Sequence, residues 1–375
     1  MIHASLSFNV DSNLIQAALP LFAAEAVEGM EWSFDTLHNR PDIPEWFEEL
    51  LKSYGDAGRL VGHGVFFSMF SGKWLPEQAA WLAELKSLTT RFRFDHISEH
   101  FGFFTGADFH KGAPLSVPYS KRTLALGQDR LLRIADACGC PVGLENLAFA
   151  TDAHSARIHG EFLEALLAPA NGFLILDLHN LYCQLHNFGL DSAELLAGIP
   201  LARVREIHIS GGSWEPSPFR PQPGVRRDTH DAGVPERVFE LLATTMGQCP
   251  NLKFVVLEQM SHALADAESH SQYQADFLRM RDLVQLESAK RTSSMLLQNF
   301  LPPKIEFQSH PLEDETLHFE QLVLSDILEN SANFQEVKAK IDASVLADGE
   351  WNAVNWDPAM LETARQIARK WKDGF

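Results

Sequence analysis

The sequence predicts a (β/α)8 TIM-type barrel followed by a mainly helical C-terminal extension, and three observations point there. Short β-like runs alternate with longer amphipathic stretches about eight times, the pattern of a parallel sheet with crossover helices. The 375 residues suit one large α/β barrel with a modest appendage. Potential metal ligands recur at the carboxyl ends of successive runs, where a barrel of this kind assembles its active site.

Candidate strands lie at residues 5–10, 29–34, 60–66, 96–99, 142–145, 173–178, 206–210 and 254–258, from hydrophobic runs and β-branched or aromatic content. Helical patterns fall between them at 44–54, 76–88, 121–137, 156–168 and 235–246, several opening with proline near the first turn. Residues 1–285 therefore read as the barrel. After Leu286 the rhythm changes, with Ser288-Ala289-Lys290-Arg291-Thr292-Ser293-Ser294 and then Pro302 and Pro303. Residues 286–375 form the extension, with helical patterns at 320–327 and 358–372. It carries no catalytic constellation and reads as a helical cap on the barrel or as a docking surface for a peptide or partner.

Composition narrows the function. With 45% hydrophobic and 22% charged residues the chain can bury a sizeable core. A net charge of −19 without a basic stripe argues against nucleic acid, whose phosphates need cationic contacts. No apolar run approaches the ~20 residues that span a bilayer, and the N-terminus lacks the pattern of a secretory signal, so the expected location is cytoplasmic. Cys138, Cys140, Cys183 and Cys249 form neither a CxxC pair nor a disulfide framework and read as reduced thiols.

The candidate ligands follow the strands in order. His63 follows Leu60-Val61-Gly62, His100 follows His96-Ile97-Ser98-Glu99, Glu145 ends Val142-Gly143-Leu144, and Asp177 ends Leu174-Ile175-Leu176. His208 lies within Glu206-Ile207-His208-Ile209-Ser210, Asp228 and His230 share a polar loop, and Glu258 closes Phe254-Val255-Val256-Leu257. One such residue among 16 histidines and 50 acids means little, but a carboxylate at several apolar strand ends is costly to bury without a cation. The mixed His and carboxylate set suits iron, zinc or manganese and disfavours a thiolate-rich structural zinc site. His96 shares a face with His100 and reads as a group that orients a ligand. The stretch from His179 to Gly189 reads as a polar loop, in which Asn180 can turn back toward a metal or cap a turn. Cys183 reads as a buried, inert thiol.

These motifs resemble the DUF692 family of multinuclear non-heme iron-dependent oxidative enzymes, across roughly residues 1–285. The carriers are Gly62-His63-Gly64, Ile97-Ser98-Glu99-His100, Leu144-Glu145-Asn146, Leu176-Asp177-Leu178-His179-Asn180-Leu181-Tyr182, Glu206-Ile207-His208, Asp228-Thr229-His230 and Leu257-Glu258, in the family's order. The resemblance implies a distorted, xylose isomerase-like barrel. It also implies one iron on His63, His100 and Glu145, with Glu145 bridging to a second on Asp177, His208 and Glu258. A third, weaker site would use Asn180, Asp228 and His230. The implied cofactors are two or three ions of mixed ferrous and ferric iron, with O2 as co-substrate.

The implied substrate is a cysteine in a ribosomally made precursor peptide, presented by a small partner protein. The implied products include oxazolone and thioamide groups or β-carbon excision from a C-terminal cysteine, as in 3-thiaglutamate formation; the second is the expectation taken here. Phe188-Gly189 stands where the family often has His-Gly, with His186 nearby to compensate, which makes these two residues candidates for the substrate pocket. The extension lies outside the family pattern. Competing readings are a divalent-metal hydrolase or sugar isomerase on the same barrel, and a non-enzymatic metal-binding scaffold for a partner.

Overall fold

In the computed structural model, residues 1–37, 43–105, 114–291, 298–304, 307 and 310–373 are described. His110 and part of the expected break, 292–294, lie outside them. Eight strands form a closed barrel: β1 (His3–Ser7), β2 (Gly29–Trp32), β3 (Leu60–Gly64), β4 (Ile97–His100), β5 (Val142–Glu145), β6 (Phe173–Asp177), β7 (Val204–Ile209) and β8 (Phe254–Leu257). Every strand pairs in parallel with its sequence neighbours, and β8 closes on β1 through His3↔Phe254 to Leu6↔Leu257. The chain is a (β/α)8 barrel with a helical C-terminal part.

Between the strands run α1 (Ser12–Ala23), α2 (Glu45–Asp56), α3 (Pro76–Arg91), α4 (Lys121–Cys138), α5 (Ala153–Leu167), α6 (Leu178–Phe188), α7 (Ser192–Gly198) and α8 (Glu236–Thr245), and α9 (Ala267–Lys290) follows β8. The stretch expected to be a polar loop after Asp177 is α6. Asp177 ends β6 and also caps the helix, accepting the Asn180 N–H, so strand turns into helix with no loop between. Gly189 ends α6 at φ +63°, the left-handed position at which glycine has no Cβ penalty. Among the described residues no helix is long and apolar enough to cross a membrane.

Strand alternation sorts the side chains. Leu6, Met30, Leu60, Leu144 and Leu176 point outward into the main core beneath the helices. Low in the barrel the inward set holds two apolar clusters, Val61, Phe254 and Val256 in one and Phe173, Ile175 and Phe300 in the other, with His96 packed on the rings of both. Phe300 comes from beyond α9 and is fully buried against Phe173, ring centroids 6.2 Å apart. Gly143 must be small, since a Cβ there would stand 2.4 Å from the Phe173 ring. Toward the carboxyl ends the inward set turns polar, with His63, Glu145, Asp177 and His208 all buried. A bulge between β6 and β7 pairs Leu174 with Val204 but Ile175 with Glu206, leaving Arg205 as the extra residue. Glu206 and His208 thereby share the inward face.

The extension comprises α10 (Glu315–Asn330), α11 (Phe334–Asp342) and α12 (Pro358–Trp371). It contributes Leu324, Trp351, Met360 and Ala364 to the same core as the barrel. It sits on the loops that follow the strands. Gln321 and Asp314 bond the backbone of Gly72 after β3, Trp351 contacts Phe103 after β4, Trp356 contacts Phe149 after β5, and Phe334 contacts Phe219 after β7.

On α10, burial pushes the Glu329 carboxyl up to about 7, with Lys372 opposing and Asp326 and Asp373 adding to the rise. A carboxyl raised on folding favours the unfolded chain once the pH exceeds its unfolded value, so this group's penalty grows from about pH 4.3 up to about 7. Glu329→Gln is expected to raise the melting temperature more at pH 8 than at pH 5, by calorimetry at both values.

Candidate metal centre

Two groups of side chains, buried except for the part-exposed His100, share one carboxylate at the upper end of the barrel. In the first, His63 Nε2, His100 Nε2 and Glu145 Oε2 form a triangle with edges of 3.3, 3.1 and 3.3 Å. Ligands of one first-row ion at about 2.0–2.2 Å stand roughly this far apart. β3, β4 and β5 supply one corner each. His63 is oriented from behind by Ser98, whose Oγ lies 2.8 Å from Nδ1. Burial would lower the His100 ring, but Glu145 and Glu99 raise it to about 9. Carboxylates crowded around one ring in this way favour a positive charge there.

In the second group, ligand atoms of Glu145, Asp177, His208 and Glu258 lie within 4.8 Å of one another, all buried. His208 Nδ1 is 3.1 Å from Glu258 Oε2 and 4.0 Å from Glu145 Oε1, yet it makes no hydrogen bond. Glu145 Oε2 and Asp177 Oδ2 are likewise buried and without a hydrogen-bond partner. Burial, then Asp228, Glu145 and Glu258, hold the Asp177 carboxyl well above its ordinary value. Burial alone would raise Glu145 too, but His100, His63 and His208 hold it below. Buried polar atoms normally find partners, and leaving one unpaired costs about 1–3 kcal/mol or more if charged. A cation in each group removes that cost, so the residues present fit metal ions.

Beside this pair, Asp228 lies 2.9 Å from His230 Nε2, and His230 Nδ1 is 4.0 Å from Glu258. His230 has φ +51°, an uncommon conformation for a non-glycine residue, and its ring packs onto Asp228 two residues earlier. Asn180 Nδ2 donates to Glu145 Oε1 (3.1 Å) and to the Asn146 carbonyl (2.8 Å), leaving Oδ1 buried and unpartnered.

The remaining candidates lie elsewhere. His96 is fully buried below the centre and contacts Glu206 and Asp95. His186 is exposed on the last turn of α6, 3.2 Å from the Gly224 carbonyl and packed on Trp214. Phe188 packs against the hydrophobic core 11 residues beyond Asp177, about 16 Å along the helix axis. Burial pushes the Cys183 thiol well above its ordinary value, as for an inert group.

Three residues near the centre carry no role in the sequence reading. His179, in the first turn of α6, places Nδ1 2.8 Å from Asp228, and its Nε2 faces the Arg226 guanidinium at 3.0 Å. Glu31 and Glu206 flank His208 Nε2 at 3.0 and 3.1 Å. The available signal was period two: Glu206 shares the His208 face, and Glu31 is an acid inside an apolar strand.

Residues 37–273 match the family described as RiPP precursor modification enzyme MbnB/TglH/ChrH. A UPF0276 protein of Acaryochloris marina is 30% identical over 221 residues, covering 55% of this chain and 76% of that one. One of Anaeromyxobacter sp. is 33% identical over 190 residues, covering 50% and 63%. Among solved structures, endonuclease IV of Thermus thermophilus superposes with TM-score 0.47 at 13% identity, over 76% of this chain and 99% of that one. An L-ribulose 3-epimerase gives 0.46 at 13%, over 78% and 100%. These two structural likenesses are too distant to bear on the chemistry. The chain belongs to the MbnB/TglH/ChrH family of RiPP precursor modification enzymes.

Proposed function

We propose that the chain is a multinuclear non-heme iron enzyme that uses O2 to oxidise a cysteine of a ribosomally synthesised precursor peptide. The observation that carries this reading is Glu145, whose two carboxylate oxygens face two different ligand groups, so that adjacent ion positions share one residue. His63, His100 and Glu145 would hold one ion, and Asp177, His208 and Glu258 with Glu145 the second. Asp228, His230 and Asn180 would hold a third. The donors are all nitrogen and oxygen, a set that accommodates both ferrous and ferric iron. When bound, iron supplies a redox change and the acidity that turns a substrate thiol into a thiolate.

The residues of the chain do the positioning. Ser98 fixes the His63 ring, His179 holds Asp228 and is itself bonded by Arg226, and Asn146 ties the Asp177 backbone to β5 with bonds of 2.7 and 3.0 Å. The aromatic floor of Phe173, Phe254 and Phe300 keeps water from below. Oxidation at the cysteine β-carbon is the reaction proposed, with that carbon excised from a C-terminal cysteine as formate, the sulfur rejoining the α-carbon and one O2 taking the four electrons, and a small protein that presents the peptide is the proposed partner.

The test is iron-57 Mössbauer spectroscopy with metal analysis on protein purified without oxygen, repeated after brief exposure to air. Two or more coupled irons that respond to oxygen are expected. Full occupancy by zinc or manganese, with no oxygen-responsive iron after reconstitution, would replace this reading with a hydrolase or isomerase.

A further inference from the structure

Beneath the centre, four side chains form a continuous column inside the barrel. His208 Nε2 lies 3.1 Å from Glu206 Oε1, the other Glu206 oxygen contacts His96 Nε2, and His96 Nδ1 is 3.0 Å from Asp95 Oδ1. Asp95 ends the column on Arg205 (2.6 Å) and Lys253. Glu31 stands at the side of His208 Nε2, at 3.0 Å. Glu31, Glu206, His96 and His208 all have zero exposure.

Stability does not explain this column. Burying ions costs several kcal/mol each, and well-packed apolar residues in place of a buried ion pair are often neutral or stabilising. Val61, Ile175 and Val256 fill the barrel interior nearby, so apolar side chains are at home there. The chain has instead placed a carboxylate two residues before a histidine on the inward face, using the β6–β7 bulge to do so.

A neutral imidazole carries its proton on one nitrogen and its lone pair on the other. Hydrogen bonding at one ring nitrogen therefore decides which nitrogen is free to bind a metal, and a carboxylate acceptor also makes that nitrogen more basic. We propose that Glu206, braced by His96 and flanked by Glu31, is a positioning residue that holds the proton on His208 Nε2. The Nδ1 lone pair is thereby aimed at the group formed by Glu145, Asp177 and Glu258. This rests on the reading that His208 holds a metal through Nδ1. On this assignment Glu206 touches neither ion nor substrate; Glu31, Glu206 and His208 Nε2 also stand close enough together to hold an ion, and a metal on Nε2 is the outcome the proposal excludes.

The amide in Glu206→Gln keeps the shape but has one acceptor where Glu206 has two. Its NH2 must face one of the two rings, and toward His208 it presents a donor where a proton on Nε2 needs an acceptor. Full-length wild type and Glu206→Gln would be titrated anaerobically with ferrous iron against a competing chelator, with Mössbauer spectra of each. The expected result is a roughly 10–100-fold loss of affinity at one ion position, with the other retained and the apo-protein still folding cooperatively. Two irons bound with wild-type affinity and unchanged spectra would overturn the assignment.

Should the variant fail to fold, histidine nitrogen NMR of zinc-loaded wild type answers the same question. A protonated Nε2 with a metal-bound Nδ1 on His208 is expected, and the reverse overturns the proposal. A wild type that takes up neither metal would sink the metal reading itself, whereas uptake by both proteins alike sinks only the role of Glu206.

Discussion

Glu145→Ala is expected to yield a folded barrel that retains iron at neither the His63–His100 position nor the Asp177–His208–Glu258 position. Each position loses a ligand through the one substitution, because the two oxygens of this carboxylate face different groups. His63→Ala, by contrast, should empty only the first. The fold should survive, since no backbone group among the described residues hydrogen-bonds the Glu145 carboxylate and the histidines around it can become neutral once it is gone. Metal analysis beside circular dichroism is the check, and normal iron content in the alanine variant would defeat the shared-ligand assignment.

The second large effect is structural. Asp95→Ala is expected to destabilise the protein by about 3–5 kcal/mol, the usual cost of removing one partner from a buried ion pair. Asp95 is the counter-ion for Arg205 and Lys253 and also touches His96, and its side chain is only 10% exposed. Burial alone would raise its carboxyl, yet His96, Arg205 and Lys253 hold it far below the ordinary range. A depressed carboxyl contributes stability above its unfolded pKa of about 3.9 and loses it as the pH falls. Urea denaturation should therefore show a constant gap between wild type and variant from about pH 5 to 8, narrowing below about pH 4.

Much of the barrel was legible because its strands are short apolar runs that end in polar residues, and all eight expected runs overlap observed strands. The helix over Leu178–Phe188 was not. A polar stretch directly after a strand looks like a loop, and the sequence does not announce that Asp177 caps a helix while ending the strand. Glu31 and Glu206 were hidden for a different reason. Period-two alternation says which face a residue takes, but only the closed barrel shows that β2, β4 and β7 meet across the axis at His208. The extension was legible as helices, whereas its seat on the loops after β3, β4, β5 and β7 depends on contacts far apart in the chain.

The buried Phe300 has a consequence for traffic. Its ring packs against Phe173, with the Phe254 cluster at the same end, so the lower part of the barrel is filled by aromatic rings and access is expected at the end that carries the strand-end ligands. A molecule seated over those strand ends would stand between the centre and solvent. Arrival and departure must then take turns, and a bulky peptide seated there sets the order in which anything smaller can follow.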